Sequence, residues 1–195
     1  EDDFVILFVG RIIQIKGILE LINAVVGIED NHIKLMIVGS ANFGKYAFSS
    51  YAKKVKKLAE ENKDRIVFTG YVDNSEVYKY AAAADIQCVP SICEEAAGLV
   101  AIEAMAGGIP AIITNSGGMT EYVTKDAALI IERENIVENL KKSILYMKEN
   151  PEIRRQMSKS AKTISEQYNE ENYYKNFVKT VYEIIGENGE EANGN

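Results

Sequence analysis

The sequence predicts an α/β domain, a doubly wound parallel sheet of about six strands with helices on both faces and further helices at its C-terminal end. Two observations predict it. Short apolar, β-branched runs alternate with longer stretches of helical periodicity. That rhythm argues for βαβ units around a buried parallel sheet. After residue 131 the alternation stops and the sequence reads as helix alone.

The strand runs, in order, are 5–9, 34–38, 66–69, 86–89, 111–114 and, more weakly, 128–131. Helical patterns fall between them at 17–26, 46–62, 75–83 and 99–106, the third with Asn74 or Ser75 as its N-cap. Beyond the last strand, helices are predicted at 136–149, 151–168 and 170–185, with Pro151 suited to a first helical turn. From Gly186 the chain is Gly, Glu and Asn with a single Ala, a composition that predicts a disordered tail over 187–195 after a domain of 1–186. A length of 195 residues, 47% of them hydrophobic, suits one compact domain.

Charge and cysteine content narrow the function classes. With 22 Lys plus Arg against 29 Asp plus Glu, the net charge is −7. General attraction to nucleic acid or anionic lipid is thereby disfavoured, and any phosphate site has to be local. Cys88 and Cys93 have no His or third Cys near them in sequence, so they read as plain thiols in a reducing cytoplasm, with no metal site. No apolar run reaches the ~20 residues a bilayer span needs, and no basic-then-apolar leader opens the chain. Glu1, Asp2 and Asp3 run without Met straight into a strand, which reads as entry partway along a longer polypeptide.

In a doubly wound sheet, ligands bind outside the carboxyl ends of the strands, so the loops after each strand are where chemistry is sought. After the first strand come Gly10, Arg11 and, at the start of the next helix, Lys16 and Gly17. Gly10 lets a ligand approach the backbone, Arg11 offers a planar fork of donors, and Lys16 adds a point charge beside helix-start amides. This set can clamp a phosphate or can be a solvated pair of cations at a turn. After the second strand, Gly39 to Gly44 and Lys45 nearly match a phosphate loop, but Tyr46 stands where Ser or Thr would hold magnesium. No apolar strand ends in a metal-holding Asp either, since Asp85 precedes its strand. Gly70, Tyr71 and Val72 follow the third strand, with backbone groups able to pair with a base edge or simply to form a βα turn.

The loop after the fourth strand is the most informative. Ala96, Ala97 and Gly98 are small enough for close approach to the amides at the following helix start, where the dipole favours a diphosphate. Glu95 precedes that start, and Glu103 lies about 7 Å inside the helix at ~1.5 Å per residue, so two carboxylates bracket an anion site. Pointed at the anion they would repel it; turned to either side, they can accept hydroxyl protons from a ribose and a hexose. A glycosidase pair is the acidic alternative. The bland one makes Glu103 a surface residue beside a face of Leu99, Ile102 and Ala106. Gly117 and Gly118, with Glu121 after them, suit a tight turn near a ligand or a turn alone.

From residue 5 to about 185 the chain resembles the C-terminal domain of the retaining glycosyltransferases of family four, or group one, which is one half of the two-Rossmann GT-B fold. Three motifs carry the resemblance: Gly10-Arg11 followed by Lys16-Gly17; Glu95, seven residues and Glu103, with Gly98-Leu99-Val100 inside and Ala104-Met105-Ala106 after; and Gly117-Gly118 with Glu121. The resemblance implies a UDP- or GDP-sugar as substrate and no cofactor. Arg11 and Lys16 would neutralise the diphosphate, Glu95 would bind sugar hydroxyls and Glu103 the ribose. Amides of Gly98, Leu99 and Val100 would hold phosphate, and Tyr71 and Val72 would offer backbone contacts to the base. It also implies an acceptor bound mainly by an N-terminal domain that this chain lacks, which would be the part to contact a membrane. Ala96 and Ala97 depart from the family's Gly-Phe, which leaves the sugar preference open. His32, the only His, stands before the second strand and reads as a surface residue. A sugar-nucleotide epimerase of the same architecture, a binding module without chemistry, and a nucleotide triphosphatase using Lys45 are the competing readings.

Overall fold

A computed structural model of the chain describes residues 3–40 and 49–192, with side chains as far as residue 185. Six parallel strands form one sheet: β1 (Phe4–Val9), β2 (Ile33–Val38), β3 (Ile66–Gly70), β4 (Ile86–Val89), β5 (Ala111–Thr114) and β6 (Ala128–Ile131), in the spatial order β3-β2-β1-β4-β5-β6. This is the doubly wound Rossmann-like sheet of about six strands that the sequence predicts. Every residue of β4 and β5 is buried, including Gln87 and Thr114, whose side chains donate to the carbonyls of Val100 and Ser91. At the edge, β3 buries only Ile66.

Helices cover both faces. α1 (Ile18–Val26) turns Ile18, Leu21, Ile22 and Val25 into the core, and α6 (Ile136–Glu149) buries Ile136, Leu140, Ile144 and Met147 at three- and four-residue spacing. With β1 to β3 and α2 (Ser50–Glu61) they make the larger of two apolar clusters. The smaller joins β5 and β6 to α4 (Leu99–Gly107), α5 (Met119–Tyr122) and α7 (Pro151–Ser165) through Ala101, Met105, Ile113, Met119 and Ala161. Each fully buried Ile or Leu contributes roughly 1.5–3 kcal/mol before entropy is counted. Asp85 joins β4 to β1 at their entry: its carboxylate accepts the amide of Val5 at 2.8 Å, and its own amide donates to the Val5 carbonyl at 2.9 Å.

Several boundaries differ from the sequence prediction. The helix expected over 75–83 is a 3-10 turn at Asn74–Glu76 followed by α3 (Val77–Ala81). Its cap is Asp73, whose extended backbone lets the side chain accept the Ser75 amide at 2.9 Å. α2 is capped by Ser49, whose Oγ accepts the Ala52 amide; the predicted start at 46 lies outside the described residues. α7 ends at Ser165 and tightens into a 3-10 turn at Glu166–Tyr168. The last helix, α8 (Glu170–Ala192), continues past Gly186, where a disordered tail is predicted. Once a helix is nucleated, each further residue adds a hydrogen bond, so Gly186 and Gly189 do not stop it. Among the described residues no helix is long and apolar enough to cross a membrane.

Candidate functional site

The strand order reverses between β1 and β4, which places the crevice for a ligand at the carboxyl ends of those two strands. The loops that follow them are zipped together. Gly17, in the left-handed region at φ 68°, lies so close to β4 that an added Cβ would fall 1.9 Å from the Pro90 carbonyl oxygen. The Ile92 amide donates to the Ile15 carbonyl at 2.9 Å. These backbone contacts bring Lys16 onto Glu95, with Nζ 2.5 Å from Oε1. The Lys-Gly pair of the sequence thus has a steric cause: only glycine permits the approach that delivers the lysine.

The same Glu95 oxygen accepts a second hydrogen bond, from Ser91 Oγ at 2.5 Å. Burial works to raise the Glu95 carboxyl, but the hydrogen bonds from Lys16 and Ser91 and the charges of Lys16 and Arg11 outweigh it and hold the group below its ordinary value. Ser91, 1% exposed, is a site residue that the sequence prediction missed; its only signal is a polar residue closing an apolar strand.

α4 begins four residues after Glu95, at Leu99. Gly98 caps the helix in the left-handed region at φ 58°, and a Cβ there would meet Met119 Cγ at 2.5 Å. Behind it, the two glycines after β5 hold the Glu95 loop from below. The Gly118 amide donates to the Glu95 carbonyl at 2.8 Å. An added Cβ at Gly117 would lie 2.4 Å from that carbonyl oxygen, and one at Gly118 would lie 2.2 Å from the carbonyl oxygen of Ala96. The Gly-Gly stretch is therefore a packing surface for the loop, and it leads into the short helix α5 rather than into a bare turn.

Glu103 stands one helical turn further along, at the meeting of two cavities of about 420 and 430 Å³. The first is lined by Gly10, Arg11, Tyr71, Val72, Val100 and Glu103, so it unites the loops after β1 and β3 with α4. The second runs behind Glu103 between α3 and α4, past Val77, Ala81, Gln87 and Ile109. Glu103 is exposed as a residue, but its carboxyl is partly desolvated by these walls, and this raises it above its ordinary value. Among the described residues neither Glu103 nor Arg11 has a hydrogen-bond or ion-pair partner. Both point of use and chemistry are open: a carboxylate that accepts and a guanidinium that donates, across one cleft.

Two sequence expectations need correction. The face of α4 that packs is Ala101, Ala104 and Met105, whereas Leu99 is 65% exposed and Ala106 is exposed as well. Leu99 and Glu103, four residues apart, share the open face; the sheet claims the small side chains because α4 lies close on it. The amide of Leu19, at the start of α1, donates to the Tyr51 hydroxyl at 3.3 Å, so α1 does not offer that amide to an anion as its sequence position suggests. Lys45 and Tyr46 of the near-match to a phosphate loop lie outside the described residues. His32 is at the surface beside Asp3, 3.3 Å away, and Cys88 and Cys93 are free thiols, the first buried. Among the described residues no three His, Cys, Asp or Glu side chains gather as metal ligands.

Residues 1–164 match the family model described as glycosyl transferases group 1. The chain is 30% identical over 188 residues to the putative glycosyltransferase YtcC of Bacillus subtilis, covering 95% of this chain and 46% of that protein. Among solved structures, Anabaena Alr3699/HepE in complex with UDP-glucose superposes with a TM-score of 0.75 at 24% identity, over 85% of this chain and 44% of the other. The C-terminal domain of the group 1 glycosyltransferase LpcC from Francisella tularensis gives 0.73 at 21% identity, over 86% of this chain and 87% of that one. The chain spans about a third to a half of the length of the curated relatives it matches. A Rossmann-like sheet with its loops gathered at the β1/β4 switch point, and a family match over most of its length, place this chain in the group 1 glycosyltransferase family.

Proposed function

We propose that this domain binds a nucleoside diphosphate sugar, with UDP or GDP as the nucleotide, and serves as the C-terminal donor half of a retaining glycosyltransferase. The observation that carries the reading is the convergence of Arg11, the Lys16–Glu95 pair and Glu103 around the start of α4. A diphosphate set on the amides of Gly98, Leu99 and Val100 has two cations within reach and carboxylates only to its sides. Glu103 faces the cavity that Tyr71 and Val72 also line, which suits a ribose with its base. Glu95 then takes the sugar at the other end. In the transfer, the bond from the anomeric carbon to the diphosphate oxygen breaks, a bond to the acceptor oxygen forms, and the acceptor's hydroxyl proton passes to the departing diphosphate. Negative charge grows on the departing diphosphate, and Arg11 and Lys16 stabilise it as it develops. The acceptor is held by a domain outside this chain, so this chain alone binds and does not turn over.

Isothermal titration of the chain with UDP and with GDP tests the binding. Micromolar to millimolar affinity for one of them, with no release of free sugar from UDP-glucose or GDP-mannose, is expected. Absence of binding by both overturns the reading. For the full-length protein, NMR of the product with UDP-glucose or GDP-mannose should show the donor's anomeric configuration kept; inversion contradicts retention.

A further inference from the structure

Beneath Glu95 lies a buried cluster of hydroxyls that the proposed donor site does not itself use. Ser91, Thr114 and Ser116 are each 0–1% exposed. Thr114 Oγ1 donates to the Ser91 carbonyl at 2.7 Å, Ser116 Oγ donates to the same carbonyl at 2.9 Å, and the two hydroxyls are 3.1 Å apart. Two donors from the end of β5 thus pin the backbone of the residue that closes β4. With its carbonyl fixed, Ser91 aims Oγ at Glu95 Oε1, 2.5 Å away.

The consequence is a division of labour within one carboxylate. Oε1 accepts from Ser91 and from Lys16, which fills the two lone-pair positions an oxygen offers. Oε2 has no hydrogen-bond partner among the described residues. We propose that Ser91 is the positioning residue of the donor-sugar subsite: its hydroxyl locks one oxygen of Glu95 so that Oε2 is presented to sugar hydroxyls. This rests on the donor-binding reading above. The arrangement suits an unprotonated Glu95, since a hydroxyl and an ammonium both donate to it and an acceptor filled on one side leaves its other side as the recognition surface. It also explains a buried serine at a strand end, where an apolar residue would otherwise pack without a polar group to satisfy.

The test compares Ser91→Ala with Ser116→Ala. Both remove a buried hydroxyl and both lower stability, but Ser116→Ala leaves Thr114 on the Ser91 carbonyl and leaves the Ser91 hydroxyl in place. Calorimetry measures the sugar increment, the ratio of nucleotide to nucleotide-sugar dissociation constants, with UDP against UDP-glucose and GDP against GDP-mannose. Ser91→Ala should bind the bare nucleotide as the wild type does and lose about tenfold of the sugar increment, a charge-assisted hydrogen bond's worth of orientation. Ser116→Ala should keep the increment. In the ligand-free chain, NMR titration of the Glu95 carboxyl should show its midpoint rise in Ser91→Ala and stay in Ser116→Ala.

An increment kept in Ser91→Ala, or lost equally in both variants, overturns the proposal, as does a wild type that shows no sugar increment. If neither nucleotide binds the wild type, the donor-binding reading fails separately. The Glu95 titration then decides the positioning role by itself, and an unmoved midpoint in Ser91→Ala overturns it.

Discussion

Lys16 Nζ and Glu95 Oε1 lie 2.5 Å apart, joining the loop after β1 to the loop after β4 across the point where the strand order reverses. Each group does two things: the lysine fixes the carboxylate and keeps further N–H donors for a phosphate, and the carboxylate keeps its second oxygen. Lys16→Ala should lower UDP or GDP affinity about tenfold or more, the loss of one charge-assisted contact, measured by titration at neutral pH. The pair also contributes to stability with a definite sign. Glu95 is held below its ordinary value in the fold, so its stabilising contribution is present above the unfolded value of 4.5 and is lost as pH falls through the folded one. Urea unfolding should show a wild-type advantage over Lys16→Ala at pH 7 that shrinks towards pH 3.

Gly17 is the residue on which that pair depends. Its φ of 68° and the 1.9 Å approach to the Pro90 carbonyl leave no room for a side chain. Gly17→Ala should destabilise by roughly 2–5 kcal/mol, combining left-handed strain with overpacking against backbone. Thermal unfolding measures it, and nucleotide affinity should fall in the same variant because Lys16 is displaced.

Desolvation raises the Glu103 carboxyl, and the sign for stability is opposite to that of Glu95. The cost of ionising it in the cleft appears as pH rises through the ordinary value of 4.5 and is complete above the raised one. Glu103→Gln should therefore unfold at a higher temperature than the wild type at pH 7 and at the same temperature at pH 3. Its nucleotide affinity should be weaker at pH 7 and flat with pH. Wild-type affinity, by contrast, should begin to fall on acidification above the ordinary carboxyl range.

Tyr122 places its hydroxyl in the interior with no hydrogen-bond partner among the described residues, and burial, with the charge of Glu95 nearby, raises its pKa to about 12. An added Cβ on Gly98 would lie 3.4 Å from that oxygen, so the hydroxyl sits under the start of α4. Tyr122→Phe should stabilise the ligand-free chain by about 1–3 kcal/mol, since it removes an unsatisfied buried donor and keeps the ring's edge contact with Tyr168. Chemical denaturation checks the direction; a destabilised variant would mean that the hydroxyl has a partner.

The strands were legible because burial on both faces leaves a largely apolar run: β4 and β5 are wholly buried, and Gln87 and Thr114 are their polar exceptions. Arg11, Lys16, Glu95 and Glu103 stood out in the sequence through the order and spacing of their motifs, and the structure sets Lys16 on Glu95 and lines one cavity with Arg11 and Glu103. Ser91 was not, because nothing in a sequence separates a serine that orients a carboxylate from one that ends a strand. The packing face of α4 misled for a related reason. Its periodicity points to Leu99, but the helix lies close on the sheet through Ala101 and Ala104, and bulk yields to proximity. Asp73 as a cap, and Tyr51 beneath α1, depend on backbone geometry that spans elements.

In the proposed function, one cleft at the β1/β4 switch point binds a nucleoside diphosphate with Arg11 on the phosphates and Glu103 on the ribose. Calorimetric titration of UDP and GDP into the wild type, Arg11→Ala and Glu103→Ala tests it most directly. One nucleotide should bind the wild type, and each variant should weaken that binding at least tenfold, about 1.4 kcal/mol. No binding by the wild type, or unchanged affinity in both variants, would contradict it.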